Sequence, residues 1–378
     1  MTCRIASASQ AAAAACVVAA GLLAAGVLAT SGSSAKPGEA DGPPRTPPGA
    51  TAPEPASARE AERHLANIRQ LTFGGENAEA YFDATGKRLI LQSTREGRAC
   101  DQIYTMTADG KDPRLVSTGK GRCTCAYWFP DGKKILYAST HITSPNCPPR
   151  PDMSRGYVWA LYDDYEIFSA DPDGGNPKRL TYQSGYDAEG TIAEDGSKIL
   201  FTSFRDGDVD LYTMAPDGSG VRRITREPGY DGGGFFSPDG SRIVYRASRP
   251  RTAKDLEDWN ALLAERLVRP TTLEIFVASA DGSRARSITS LGAASFAPCW
   301  FRDGRRILFA SNVADPKRRN FDLYMIRDDG TGLERVTWNE TFDGFPLFSR
   351  DGKKLVFASN RGAAKAGDTN IFIADWVP

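Results

Sequence analysis

Acidic side chains recur at equivalent positions and are the strongest candidates for chemistry in this sequence. When six similar segments are aligned on a glycine that follows each of them, one column contains Asn77, Cys123, Asp187, Asp231, Ser295 and Asp343. Two residues further on, a second column contains Glu79, Cys125, Glu189, Gly233, Ala297 and Phe345. The candidate binding residues are the acidic and amide members of both columns: Asn77, Glu79, Asp187, Glu189, Asp231 and Asp343.

Carboxylates that converge on one point suit two kinds of ligand. They can hold a hard cation such as Ca²⁺, or they can attract a cationic ligand, because both need negative charge and oxygen atoms. The alternative is that they bond to neighbouring backbone amides and to water, and have a structural role. No cofactor is expected unless Ca²⁺ occupies this site.

Four cysteines belong to the first two of the aligned segments and the loops after them: Cys100, Cys123, Cys125 and Cys147. In an exported protein they would form up to two disulfides, whose connectivity the sequence does not determine. A four-thiolate zinc site is the alternative, although the paired Cys-x-x-Cys pattern is missing. Cys299 falls on an inner strand and is expected to be a buried thiol.

Several classes of protein are disfavoured by what the sequence lacks. With two histidines, His64 and His141, a Ser-His-Asp triad or a multi-histidine metal site is nearly excluded. No G-x-S-x-G elbow, phosphate-binding loop or dinucleotide fingerprint is found. Lys plus Arg and Asp plus Glu number 47 each, so there is no large basic field for nucleic acid.

A repeat of strands and turns must position these residues. Each copy has two apolar strands joined by a turn that ends in glycine, at Gly86, Gly132, Gly196, Gly240, Gly304 and Gly352. Asp-Gly between apolar runs is a strong hairpin signal, and five of the six turns contain it. A third strand opens with a polar column, which we interpret as architectural: Gln102, Glu166, Asp210, Glu274, Asp322 and Asn370. A short fourth strand follows, as in "PKRLT" and "VRRIT".

These four-stranded units predict an all-β fold, a six-bladed β-propeller. The last copy, "NIFIADWVP", stops after its third strand, and "NIRQLTF" (67–73) is a fourth strand without a blade of its own. Pairing these two segments closes the ring and removes an exposed sheet edge. The first strand of each blade then lines the channel, so the two columns lie near the channel mouth.

The segments "SPDGSRIVYRAS", "DVDLYTMAPDGSGVRRIT" and "SRDGKKLVFASNRG" resemble the WD40-like repeats of TolB-type six-bladed propellers, a periplasmic family of Gram-negative bacteria. The resemblance covers residues 67–378 and implies the same propeller fold. TolB itself has an additional α/β domain before its propeller, whereas the corresponding residues here are predicted to form a tether. Other six-bladed propellers use Asp and Glu ligands for Ca²⁺-dependent lactonase or sugar-lyase chemistry in the channel.

Blades two and four carry long insertions between their second and third strands. The first insertion is rich in proline and aromatic residues, and the second reads as a short helix with apolar residues at helical spacing. A partner-facing surface would include Trp159, Tyr162, Trp259 and Leu263. The alternative is that these residues pack onto the tops of the blades.

The first 64 residues are predicted to lie outside the propeller, which spans 65–378. Residues 1–35 contain an apolar, alanine-rich run after Arg4 that is typical of a signal peptide or an N-terminal anchor. Residues 36–64 are predicted to form a tether rich in proline and alanine and then a short helix. The helical pattern starts near Ser57 and continues to Ile68. An uncleaved anchor would be the protein's membrane contact.

We therefore expect an exported, non-catalytic scaffold, periplasmic or secreted and monomeric, that binds a protein or a ligand in the cell envelope. One alternative is a Ca²⁺-dependent small-molecule hydrolase, lactonase or lyase with its site in the channel. Another is a carbohydrate or peptide sensor that uses the aromatic-rich loop.

Overall fold

Residues 62–378 form six four-stranded antiparallel sheets and one small two-stranded sheet. This is a computed structural model that describes residues 62–378, so the predicted signal segment and residues 36–61 of the tether lie outside it. The predicted helix is wrong over its described part, because residues 62–64 form a turn and a strand begins at Leu65. Within 62–378, no helix is long and apolar enough to cross a bilayer.

The described part of the chain starts with a single strand, which is followed by three blades in order. The first strand is β1 (Leu65–Gln70). Blade one contains β2 (Asn77–Phe82), β3 (Arg88–Ser93), β4 (Gln102–Thr107) and β5 (Arg114–Leu115). Blade two and its insertion contain β6 (Cys123–Trp128), β7 (Ile135–Ser139), β8 (Trp159–Ala160), β9 (Glu166–Ala170) and β10 (Lys178–Arg179). Blade three contains β11 (Asp187–Ile192), β12 (Ile199–Ser203), β13 (Asp210–Met214) and β14 (Arg222–Arg223).

Three further blades follow. Blade four and its insertion contain β15 (Asp231–Phe236), β16 (Arg242–Ala247), helix α1 (Ala253–Ala264), β17 (Leu267–Val268), β18 (Glu274–Ser279) and β19 (Arg286–Ser287). Blade five contains β20 (Ser295–Trp300), β21 (Arg306–Ser311), β22 (Asp322–Arg327) and β23 (Glu334–Arg335). Blade six contains β24 (Asp343–Phe348), β25 (Lys354–Ser359) and β26 (Asn370–Trp376).

The first strands of the blades lie innermost and form a closed ring. β2, β6, β11, β15, β20 and β24 each contact the first strands of both neighbouring blades, and β24 contacts β2 again. We call the face that carries the glycine turns after these strands the turn face, and the opposite face the loop face. The fold is therefore the six-bladed propeller that the repeat predicts.

The sixth sheet is made from both ends of the described chain. β1 runs antiparallel to β26, with Leu65 opposite Trp376 and Gln70 opposite Phe372. The predicted strand "NIRQLTF" began at residue 67 and ran to 73, whereas the observed strand covers 65–70. Thr72 Oγ1 accepts a hydrogen bond from the backbone N–H of Ile371 at 2.9 Å.

The same bond recurs in every blade and identifies β1 as a fourth strand. The equivalent pairs are Ile103 N–Ser117 Oγ, Ile167 N–Thr181 Oγ1, Leu211 N–Thr225 Oγ1, Ile275 N–Thr289 Oγ1 and Leu323 N–Thr337 Oγ1. Arginines of the fourth strands also pair with the polar column: Arg179 with Glu166, Arg223 with Asp210, and Arg335 with Asp322. These contacts tie the short outer strands to their blades.

The two insertions form one structure on the loop face, which we call the cap (residues 140–165 and 248–273). β8 of the first insertion pairs antiparallel with β17 of the second, with Trp159 opposite Val268. Helix α1 begins with a capping box between Thr252 and Asp255. Neither insertion could form this sheet alone, so the cap depends on both.

Replacing Thr72 with Val keeps the shape of the side chain but leaves the buried Ile371 N–H without its partner. We expect unfolding in urea to lose about 1–3 kcal/mol of stability, the usual cost of a buried unsatisfied donor. Thr225→Val in blade three is the matched control and should cost a similar amount. A loss in Thr225→Val without any loss in Thr72→Val would contradict closure of the ring by β1.

Candidate functional site

Three aromatic rings block the channel between the turn face and the loop face. Tyr81, Tyr127 and Phe235 come from blades one, two and four, and their ring centroids lie 5.5, 5.9 and 6.1 Å apart. Tilted and edge-to-face contacts of this kind are favourable aromatic geometries. The rings lie between a funnel on the turn face and a cavity below the cap.

The funnel has a cavity volume of about 110 Å³. Its walls are rich in aromatic residues and include Trp128, Phe236, Trp300 and Phe348 from four different blades. The aromatic character arises because the last residue of the inner strand is aromatic in five of the six blades. A concave surface with aromatic residues in its wall is a typical place for a ligand or partner.

Charged residues stand at the rim of the funnel. Arg302 of blade five reaches Glu194 of blade three, with Nη2 3.0 Å from Oε2, and so spans the mouth. Arg350 of blade six is exposed at the same rim and makes none of the ion pairs found within residues 62–378. The funnel therefore combines apolar walls with an arginine that is available to an anionic group.

The six residues of the second column come together in the cavity below the cap, which we call the inner cavity. It is lined by Glu79, Cys125, Glu189, Gly233, Ala297 and Phe345. Each of these residues has a left-handed φ, between 49° and 58°. Each also stands at a register shift in its inner hairpin. The bulge repeats in every blade, so it belongs to the architecture and aims all six positions at the channel.

Glu79 and Glu189 have different surroundings in this cavity. Glu189 is bound by Arg246, by Thr202 Oγ1 at 2.7 Å and by the Gly233 N–H at 2.9 Å. Glu79 is 7% exposed, and its hydrogen bond within the described chain comes from Cys125 Sγ, 3.8 Å from Oε1. Burial, and then the charge of Glu189, raise the pKa of Glu79 to about 7.

Arg246 connects the inner cavity to the cap. Its guanidinium lies 5.3 Å from the ring centroids of both Trp159 and Tyr230, and Nη2 donates to Tyr230 Oη at 2.7 Å. Trp159, Ala160 and Leu161 of the cap cover the inner cavity on the loop face. A buried cation between two aromatic rings is a favourable contact, so Arg246 holds the cap over the channel.

In four blades, the first-column residue is bound by an arginine of the same blade. The ion pairs are Arg205–Asp187 at 2.8 Å, Arg249–Asp231 at 2.6 Å and Arg361–Asp343 at 2.6 Å, and Arg95 Nη2 donates to Asn77 Oδ1 at 3.1 Å. Burial raises the pKa of the three Asp carboxyls, although the paired guanidinium opposes the shift. The charge of each of these three carboxylates is therefore balanced by an arginine of its own blade.

The arginine partners form a column that the sequence analysis missed. They stand two residues after the end of the second strand in "LQSTR", "FTSFR", "YRASR" and "FASNR". In blade five, where the column has Ser295 in place of Asp, the arginine is replaced by Val313, and Ser295 Oγ bonds Ser311 Oγ at 3.0 Å. Because the Asp and Arg positions change together in blade five, a comparison of the blades could have predicted the ion pair.

A metal site is not formed by these side chains. Within residues 62–378, no three His, Cys, Asp or Glu residues are grouped so that they could hold a metal ion. The candidate residues divide into two layers: Glu79 and Glu189 line the inner cavity, while Asn77, Asp187, Asp231 and Asp343 face arginines of their own blades. The several carboxylates that were expected to converge at the channel mouth are therefore divided between two environments.

One disulfide forms among the four cysteines, within the expected limit of two. Cys100 and Cys147 form a disulfide that joins the loop before β4 to the first insertion. Cys123 and Cys125 are buried free thiols, as is Cys299. Cys123 and Cys125 cannot pair with each other because Cys123 Sγ lies 3.2 Å from Ser139 Oγ whereas Cys125 faces the inner cavity. The four-thiolate zinc site is also excluded, because two of its sulfurs form the disulfide.

The predicted partner-facing residues occupy two environments. Trp259 and Leu263 of α1 are buried in a cluster with residues of blades two to four, and Trp259 Nε1 donates to Asp208 Oδ1 at 3.1 Å. They therefore pack onto the blades, as the alternative reading stated, and are not presented to a partner. Trp159 and Tyr162 are half-buried at the edge of the same cluster.

Sequence and structure comparisons place the fold with TolB-like propellers. Residues 148–262 match the PD40 family, described as the TolB beta propeller domain. A protein described as a TolB from Agrobacterium tumefaciens superposes with a TM-score of 0.54 at 19% identity, over 80% of this chain and 91% of that one. The TolB of Acinetobacter baumannii gives 0.52 at 17% identity, over 80% of this chain and 63% of that one. The chain has the six-bladed β-propeller fold of these proteins.

The same architecture is also found in a protein of a different kind. A chain of hydrazine synthase from Kuenenia stuttgartiensis superposes with a TM-score of 0.51 at 15% identity, over 69% of this chain and 38% of that one. No curated protein matches the chain at the sequence level. At these identities the likeness shows the fold, and the function has to be argued from the site.

Asp187→Ser leaves the Arg205 guanidinium, 9% exposed, without its carboxylate. We expect a loss of about 3–5 kcal/mol in urea unfolding, because an uncompensated buried charge is costly. The double variant Asp187→Ser/Arg205→Val copies the Ser295 and Val313 pair of blade five and should recover most of that loss. Asp258→Ser, at an exposed pair on α1, is the control and should change little. Equal losses in the single and double variants would contradict this account.

Glu79→Gln should stabilise the protein at alkaline pH and leave it unchanged at acid pH. Burial raises the pKa of Glu79 from its usual 4.5 to about 7, so the stability that its proton contributes to the folded state is present below pH 4.5 and lost as pH rises to 7. Gln does not ionise, and the gain above pH 7 should reach up to about 3 kcal/mol. Thermal unfolding from pH 5 to 8.5 measures it, with Glu194→Gln as control. A gain in stability that does not depend on pH would show that Glu79 does not have a raised pKa in the folded protein.

Proposed function

We propose that this protein is an exported, non-catalytic propeller that binds a partner in the cell envelope through the funnel on its turn face. The observation that carries the proposal is the open aromatic funnel with Arg350 at its rim. The other mouth of the channel is covered by the cap, so the turn face offers the accessible end of the channel. Concave apolar surfaces with a few polar groups are where proteins bind partners and ligands.

The chemistry of the funnel indicates the kind of partner. Aromatic walls bury apolar or aromatic side chains, and a guanidinium pairs with a carboxylate. We therefore expect a protein segment in which an acidic residue stands next to an apolar one. Arg302 already forms an ion pair with Glu194, so Arg350 is the arginine that would bind the partner's carboxylate.

Three observations support the binding role and the exported location. Three carboxylates of the first column are paired with arginines, which leaves few free ligands for metal-dependent hydrolase or lyase chemistry. The Cys100–Cys147 disulfide is typical of an oxidising compartment. The TolB-like fold is consistent with a periplasmic or secreted protein. The sensor function remains a second use of the same scaffold, with the cap loops as its contact surface.

Arg350→Glu reverses the charge at the rim and should weaken partner binding at least tenfold, because a charge-assisted bond is worth about 1.5–3 kcal/mol. Arg305→Glu is the matched control, since Arg305 is an exposed arginine that does not line the funnel. The measurement is quantitative capture from envelope extract with all three proteins, followed by affinity measurement with the captured partner. Equal capture by Arg350→Glu and the native protein would show that the funnel is not the binding surface.

A further inference from the structure

We propose that the inner cavity is a binding site for a small organic ammonium cation, held by the Glu79 carboxylate between aromatic side chains beneath the cap. The cavity consists of two adjoining spaces that share Glu79, Glu189, Arg246 and Phe345. It lies on the other side of the Tyr81, Tyr127 and Phe235 rings from the funnel. Its occupation is therefore independent of the partner binding proposed above.

Of the two carboxylates in the cavity, one can still accept hydrogen bonds from a ligand. Glu189 already receives hydrogen bonds from Arg246, Thr202, Tyr230 and the Gly233 backbone. Glu79 is 7% exposed, lines both spaces, and has the weak Cys125 thiol contact at 3.8 Å. A carboxylate can accept about four hydrogen bonds, so Glu79 has most of its capacity unused.

The charge balance of the cavity favours a single positive charge. When Glu79 is ionised, the site contains two carboxylates and one guanidinium, and one further cation makes it neutral. A Ca²⁺ ion would need six to eight oxygen ligands, whereas Glu79 is the one carboxylate with capacity to spare. No metal-ligating group of three is present in the described part of the chain. An organic cation needs only one carboxylate and suitable walls.

Aromatic walls supply the rest of the recognition. Trp159, Tyr186, Tyr230, Phe296 and Phe345 line the space next to Glu79. Aromatic faces attract ammonium groups through their quadrupoles, and the same cavity already shows this with Arg246 over Trp159 and Tyr230. The space is small, so the ligand is a primary amine of a few non-hydrogen atoms. Because Trp159 covers the cavity, the cap has to move for the ligand to enter.

Binding should be coupled to the loss of one proton. The ionisable groups that act on Glu79 are Glu189, Arg246, Cys125 and Asp101, with Tyr81 acting as a neighbour in turn. Burial and Glu189 raise the pKa of Glu79 to about 7, so the carboxyl is protonated at pH 6. The ammonium ion then replaces the proton, which is released to solvent. Affinity should rise with pH and level off above pH 7.

The probe is methylammonium chloride, and the native protein is titrated at pH 6 and pH 8 by calorimetry and by thermal unfolding. NaCl and CaCl₂ at matched ionic strength are the salt controls. We expect a saturable stabilisation by methylammonium, with about tenfold tighter binding at pH 8 and release of up to one proton, measured in two buffers of different ionisation enthalpy. Glu79→Gln should abolish the effect, and Glu194→Gln, at the funnel rim, should retain it.

Three results would overturn the proposal. The first is that methylammonium stabilises the protein no more than NaCl does at pH 8. The second is that Glu79→Gln binds it as the native protein does. The third is that CaCl₂ gives the same saturable, Glu79-dependent effect, which would make the site one for inorganic cations. None of these results bears on the funnel, because Arg350 lies on the turn face.

Discussion

The structure depends on the pairing of β1 with β26 across the two ends of the described chain. A four-stranded blade buries its faces against two neighbours, and this is possible for every blade only if the ring is closed. Closure by backbone hydrogen bonds, such as Leu71 N to Ile371 O at 2.7 Å, joins positions about 300 residues apart in the sequence. The contact between β24 and β2, and with it the shape of the channel, follows from this pairing.

Once the ring is closed, the repeat fixes what each position can do. In the four blades that have Asp or Asn in the first column, an arginine of the same blade binds that residue, and the bulge two residues later turns one position toward the channel in every blade. Chemistry is therefore found where the blades differ from one another. Glu79 and Glu189 are the two acidic members of the second column, Arg246 has no equivalent in the other blades, and the cap is formed by the insertions of two blades. The residues of the proposed inner-cavity site are therefore departures from the repeat.

The fold could be predicted from the sequence because its signals are local and repeated six times. The Asp-Gly turns, the polar column before the third strand and the final Thr of the fourth strand each appear in nearly every copy. The carboxylate columns were also identified, but their role was not, since a list of acids does not show which are already paired. The pairing of Asp187 with Arg205 was readable only by comparing both positions with Ser295 and Val313 of blade five.

Other features could not be predicted because they depend on contacts between distant loops. The pairing of β8 with β17 joins two insertions, and neither insertion alone has a strand signal of useful length. The helix expected up to Ile68 failed because tertiary pairing with β26 outweighed the local helical pattern. The choice of Cys147 as the partner of Cys100 also depends on where the first insertion folds back.

Native-state hydrogen exchange tests ring closure most directly. If β1 is an integral strand of blade six, the amide of Leu71 should exchange only through global unfolding, with the same free energy as amides in the inner strand β11. The amides of β26 that face β1 should behave in the same way. Exchange of Leu71 that is orders of magnitude faster than that of β11, at the same pH, would show that β1 is not held in the ring and would contradict the account.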